Sequence, residues 1–186
     1  MERFIAIVDL ETNELSTKTC DIVEVGICEL DTTTGTTKKL LDVTIKEDSF
    51  TDTEKNRKAW VFKHTDLTIE KVLESEPLDK YRIKMQEIFN KYPITAFNTS
   101  FDFKILERKG FVIPKKFPCL MRTAAPHVKQ NPAAWRYSFQ AAWNFFVPEN
   151  PYTEIHRAYD DSEHEAKVAF KLINHLKNLG IEIEEL

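Results

Sequence analysis

The chain has 186 residues, of which 42% are apolar and 30% charged, with 30 Asp and Glu against 26 Lys and Arg for a net charge of −4. That length supports one compact core, expected to span residues 1–186 as a single domain, and that balance excludes collagen-like and wholly disordered chains. No global positive field draws such a protein to nucleic acid or anionic lipid, so binding a polyanion requires local basic patches or metal ions.

Phe4-Ile5-Ala6-Ile7-Val8 is a continuous apolar run ending in acids, the pattern of a strand buried on both faces. Ile22 to Leu30 and Leu40 to Ile45 read as two further strands, joined through Asp31-Thr32-Thr33-Thr34-Gly35, whose small polar residues and glycine suit a hairpin. The chain thus opens with a three-strand antiparallel meander. Helical spacing follows in Ile69, Val72 and Leu73, then in Tyr81, Met85, Ile88 and Phe89, before a fourth strand-like piece at Ile94 to Phe97. Phe101, Ile105 and Leu106 share one face of a helix that stops at Gly110. Ala166, Ala169, Leu172, Ile173 and Leu176 mark a long amphipathic helix with Gly180 just beyond it. The tail from Ile181 to Leu186 alternates as a strand does, although its acids equally suit a frayed end. Strands followed by interleaved helices and strands predict an α/β fold with a mixed central sheet flanked by helices.

Cys20, Cys28 and Cys119 are odd in number and form no C-x-x-C pair, which speaks against a disulfide framework or a zinc ribbon and for a reducing, cytoplasmic compartment. The apolar stretch near the amino terminus is five residues long, too short for a signal segment or a membrane span, so no membrane partner is expected. His64, His127, His164 and His175 have no spacing that would form a zinc site with the cysteines.

The informative residues are acids. Alternation along the first strand puts Asp9 and Glu11 on one face and Leu10 on the other, so two carboxylates share a small volume and repel unless a cation lies between them. Hard oxygen donors of this kind suit Mg²⁺ or Mn²⁺, and solvated acids at a strand end are the plainer alternative. Asn98-Thr99-Ser100-Phe101-Asp102 opens a helix, where an acid is favoured by unpaired amides and the helix dipole, with or without a functional role. His156-Arg157-Ala158-Tyr159-Asp160-Asp161 stands at the entrance to the long helix, with the histidine where a loop can aim it. A neutral imidazole there can accept a proton from water.

Together these pieces resemble the DEDDh 3′→5′ exonucleases of the ribonuclease H-like superfamily, a family that includes the proofreading epsilon subunit of bacterial replicative polymerase, ribonuclease T and oligoribonuclease. Asp9-Leu10-Glu11-Thr12-Asn13-Glu14-Leu15 resembles the first motif, Asn98 to Asp102 the second, and His156 with Ala158 and Asp161 matches H-x-A-x-x-D, the third. Ile22-Val23-Glu24-Val25-Gly26 is similar to the family's second strand, and Arg157 stands where the tyrosine branch of the superfamily would need Tyr. The sequence departs from the pattern at Glu14 and Asp66, where glycine is common, at Phe97, where histidine is frequent, and at Ser162, in place of alanine.

The resemblance implies a ribonuclease H-like fold and removal of nucleoside 5′-monophosphates from a single-stranded 3′ end of DNA or RNA. It implies that Asp9, Glu11, Asp102 and Asp161 hold two divalent cations, Mg²⁺ or Mn²⁺, and that His156 is the general base. It also implies that Thr12 holds the terminal 3′ hydroxyl through its backbone, that Leu15 wedges against the last base, and that Asn98 and Phe101 join the substrate-binding set. Ordinary packing explains Leu15 and Phe101 equally well. The segment Lys55-Asn56-Arg57-Lys58-Ala59-Trp60-Val61-Phe62-Lys63 interleaves basic and aromatic residues as a single-strand groove does, and solvated lysines around a buried Trp60 are the plainer reading. Lys115, Lys116, Lys129 and Arg136 are candidates for a second phosphate track, and His164 is the understudy for His156. A catalytically idle nucleic-acid or polymerase-binding module and a ribonuclease H-like endonuclease remain as alternatives.

Overall fold

The computed structural model describes residues 2–128 and 138–183. Among these described residues four strands, β1 (Phe4–Thr12), β2 (Ile22–Asp31), β3 (Thr37–Thr44) and β4 (Ile94–Thr95), form a mixed sheet in the order β3-β2-β1-β4. β1 pairs antiparallel with β2 and β2 with β3, whereas β4 runs parallel to β1, with Ala6 opposite Ile94. The meander and the mixed sheet are therefore as expected, although β4 is only two residues long.

Alternation along β1 divides the interior. Ile5 and Ile7 point into a cluster with Leu120, Trp143, Ala169, Leu172 and Ile173, which covers one face of the sheet. Ala6, Val8 and Leu10 point into another with Met85, Phe89, Ile105 and Leu106 on the opposite face. Burying each such Ile, Leu or Phe stabilises the fold by roughly 1.5–3 kcal/mol. The first face is closed by α8 (Ala158–Asn178) and the second by α4 (Leu78–Lys91) and α5 (Thr99–Arg108). By the same alternation Asp9 and Glu11 continue the Ile5–Ile7 row and emerge toward α8.

The stretch before β4 is more broken than its spacing suggests. Short helices α1 (Glu54–Arg57), α2 (Trp60–His64) and α3 (Ile69–Leu73) precede α4. Pro77, the residue before α4, cannot donate to an earlier turn, so the helical run restarts there. The strand pattern also leaves out α6 (Leu120–Val128) and α7 (Phe139–Phe146), whose buried Leu120, Met121, Phe139 and Trp143 pack on the α8 side. The strand-like tail from Ile181 reaches Ile183, which is buried, and its remainder lies outside the described residues.

One close approach fixes the position of α8. A Cβ on Gly26, the β2 residue opposite Asp9, would lie 2.1 Å from the backbone oxygen of Ala158 and 2.3 Å from the nitrogen of Tyr159. Glycine on β2 and the small, buried Ala158 thus let the start of α8 rest directly on the sheet beside Asp9 and Glu11.

Candidate active site

The acids of β1 meet the entrance of α8 and the start of α5 at one end of the sheet. One side-chain donor atom from each of Glu11, His156 and Asp161 lies within 4.8 Å of the other two. Asp161 is 3% exposed in the first turn of α8, and Asp102 is 4% exposed in the first turn of α5. Asp9 joins them through mutual repulsion. Burial raises its pKa well above the ordinary carboxylate range, and the charges of Glu165, Asp102, Asp161 and Glu11 add to the effect. Burial likewise raises Glu11, followed by the charges of Asp161, Glu24, Glu154 and Asp102. Asp102 and Asp161 are each pushed by burial up to about 7. Backbone N–H groups of Asp102 itself and of Leu10 partly offset this for Asp102, as the hydroxyl of Tyr152 does for Asp161.

His156 is held on several sides. Its φ of 55° places a non-glycine residue in the left-handed region, a strained conformation that turns the chain abruptly into α8. Nδ1 lies 3.6 Å from Glu154 Oε1, and the ring meets Trp60 edge-on at 4.6 Å between centroids. The next residue, Arg157, is the anchor. Its Nε and Nη2 donate to the buried Glu24 at 2.9 and 2.6 Å, and Nη1 pairs with Asp66. A bidentate guanidinium–carboxylate pair is geometrically strict, so the loop bearing His156 is tied to β2 and to the segment between α2 and α3.

The structure answers several of the sequence expectations at this end. Thr12 ends β1 and donates its hydroxyl to the Glu14 carbonyl at 2.9 Å. Leu15 is 88% exposed, so packing does not explain it, whereas Phe101 packs half-buried on the core. Asn98 is the residue before α5 and makes no side-chain cap bond. Glu14 does not add a free negative charge, since it pairs with Lys55 at 2.8 Å and accepts from Thr19 at 2.6 Å, contacts that lower its pKa.

The expectation of a buried Trp60 is overturned. Trp60 is 49% exposed, because Val61 takes the inward side of the five-residue α2, and it stacks on His64 at 4.5 Å. The cations of that segment are largely committed: Lys55 to Glu14, Lys58 to Glu54, and Arg57 to Asp52 and Glu70. Lys115 and Lys116 lie beside Ile94, level with Ala6 rather than with the acids, and Lys129 and Arg136 lie outside the described residues. His164 lies within α8, stacked on Tyr152 at 3.7 Å, with its Nδ1 bonded to the Asp160 carbonyl at 2.7 Å.

Sequence reasoning missed Glu165, Glu154 and the Arg157 anchor. Their signals are present in retrospect: Glu165 follows Asp161 by one helical turn, and Glu154 precedes His156 by two residues. Tyr152, which donates to Asp160 at 2.6 Å and to Asp161 at 3.0 Å, carried no signal.

The architecture, a mixed sheet flanked by helices with acids from β1, α5 and α8 gathered at one end, matches the ribonuclease H-like fold of solved exonucleases. No protein-family model and no curated protein matches the sequence. Solved structures do match. Exonuclease X bound to 5′-overhanging duplex DNA superposes with a TM-score of 0.67 at 18% identity, covering 97% of this chain and 95% of its own. The nuclease domain of 3′hExo, a DEDDh family member bound to rAMP, gives 0.65 at 15% identity, with 97% and 94% covered. A 3′-exonuclease that recognises the 3′ end of the histone mRNA stem-loop gives 0.66 at 14%, with 93% and 82% covered. At these identities the likeness is one of fold.

Proposed function

We propose that residues 1–186 form one exonuclease domain that removes nucleoside 5′-monophosphates from single-stranded 3′ ends with the help of divalent cations. The observation that carries the reading is the convergence of Glu11, His156 and Asp161 within 4.8 Å, with Asp9 and Asp102 adjoining, at the site end of an exonuclease fold.

The residues fit hard divalent cations. One oxygen of Asp102, Oδ1, is buried without a hydrogen-bond partner among the described residues, and the neighbouring donors are carboxylates that raise one another's pKa. Such a set suits Mg²⁺ or Mn²⁺ held by Asp9, Glu11, Asp102 and Asp161. Bound cations there supply positive charge to the scissile phosphate and make water more acidic. His156, steadied by Glu154, Trp60 and the Arg157 anchor, takes the proton from the attacking water. The backbone of Thr12 meets the terminal hydroxyl, the exposed Leu15 leans on the last base, and Asn98 and Phe101 line the approach from α5. Both DNA and RNA fit this reading, since the similar folds include one bound to duplex DNA and one that recognises an mRNA stem-loop.

The test uses DNA and RNA single strands labelled at the 5′ end, incubated with Mg²⁺ or Mn²⁺. A ladder shortening from the 3′ end with release of 5′-monophosphates, abolished by chelator, is expected. Internal cuts would make the protein an endonuclease, and binding without turnover an idle module.

A further inference from the structure

Glu165 belongs to none of the three motifs, yet it lies one turn beyond Asp161 on α8 with only 4% of its surface exposed. Its Oε2 accepts the Phe97 N–H at 3.1 Å. Phe97 stands just before Asn98 and α5, so this bond ties α8 to the corner from which Asp102 projects. Burial raises its pKa well above the ordinary carboxylate range, with the charges of Asp102, Asp161 and Glu154 adding to the effect, and its own charge is among those that raise Asp9.

A neutral glutamine would accept the Phe97 N–H as well as glutamate does, so the bond explains the side-chain length but not the charge. An additional buried carboxylate among like charges is costly unless a cation joins them. A separate observation points to such a cation: the Oδ1 atom of the 96%-buried Asp102 has no hydrogen-bond partner among the described residues. We infer that Glu165 is a fifth carboxylate of the site, a positioning residue whose negative charge tightens divalent-cation binding at Asp9, Asp102 and Asp161 while its bond to Phe97 fixes the gap between α8 and α5. This rests on the metal-dependent reading above and adds to it a residue that the motifs do not contain.

The experiment is titration of Mn²⁺ into the full chain by calorimetry at pH 7.5 without nucleic acid, for the wild type, Glu165→Gln, Glu165→Asp, Asp102→Asn and Glu163→Gln. Glu165→Gln is expected to bind Mn²⁺ roughly 10- to 100-fold more weakly than wild type, the usual effect of losing a group that supports metal ligands. Glu163 turns toward Thr37 and Tyr159, so Glu163→Gln should bind as wild type does. Glu165→Asp keeps the charge and should bind more tightly than Glu165→Gln, and the reverse order would overturn the argument from charge. A purely structural clamp predicts wild-type affinity for Glu165→Gln, so an affinity within two-fold of wild type would overturn the proposal. A wild type that binds no Mn²⁺, or an affinity unmoved by Asp102→Asn, would instead overturn the metal reading on which the proposal rests.

Discussion

Replacing Asp102 by Asn measures what it costs to gather these acids. Burial holds Asp102 at about 7, against an ordinary value near 3.9. Ionising it in the folded, metal-free protein therefore costs up to about 4 kcal/mol, a cost that belongs to the coupled cluster rather than to Asp102 alone. Because the folded state holds the proton more firmly than the unfolded chain, this group's contribution is fully present below about pH 4. It is lost as pH rises toward about 7 and is gone above that. Asn has no charge to desolvate. Its oxygen can accept the Leu10 N–H. In chelator at pH 8 the variant should therefore melt above wild type, by up to about 16 °C, at about 2–4 °C per kcal/mol for a chain of this size. Differential scanning calorimetry between pH 4 and 8 is the assay, and the gap should close at the acid end. Saturating Mn²⁺ should narrow or reverse the order, since ligand at 100 times its Kd adds about 2.7 kcal/mol to a state that binds it. An Asp102→Asn protein that melts at or below wild type at pH 8 in chelator would refute the reasoning.

Other perturbations probe separate parts of the site. His156→Ala should lower single-turnover rates roughly 10²- to 10⁴-fold with Mn²⁺ and 3′-end affinity nearly unchanged, and a defect confined to affinity would remove it as the base. His164→Ala should spare the chemistry and lower the melting temperature, because His164 is stacked on Tyr152 and packs at a tilt against Trp143. Gly26→Ala places a methyl 2.1 Å from backbone; urea titration should show a loss of about 3 kcal/mol, and a loss under 1 kcal/mol would mean that α8 is free to move away. Arg157→Ala leaves Glu24 buried without its guanidinium partner and should cost roughly 3 kcal/mol. Adding Glu24→Gln should restore part of that stability, and strict additivity of the two changes would argue against the anchor.

The meander and the four motif acids were legible because they obey short-range rules. Alternation along Phe4 to Glu11 sets faces two residues apart, and helix-start positions favour Asp102 and Asp161 locally. What was not legible depends on pairings between distant segments. Trp60 is exposed because Val61 takes the inward side of α2, a choice made by tertiary packing. Glu14 is neutralised by Lys55, which is distant in sequence. Asp66, which stands where glycine is common, pairs with Arg157 from the far end of the chain, so one departure from the pattern meets a residue within the third motif. Glu165 carries the expected helical spacing from Asp161, but a surface acid on the same helix has that spacing too. Only the inward turn of α8 separates it from Glu163.

The contact of Gly26 with Ala158 also sets an order of events in time. Asp9 and Glu11 come from the first strand, whereas His156, Asp161 and Glu165 come from the last long helix, roughly 150 positions later, a separation that makes the contact slow to close. The meander and the α4–α5 face can form from segments nearer in sequence, and that half already contains Asp9, Glu11 and Asp102. Docking of α8 on Gly26 then adds two more buried carboxylates together with the histidine. Mutual repulsion opposes this step increasingly as pH rises through about 7, and most in the absence of cations. Divalent ions present during refolding should therefore accelerate the docking of α8 as well as stabilise its product.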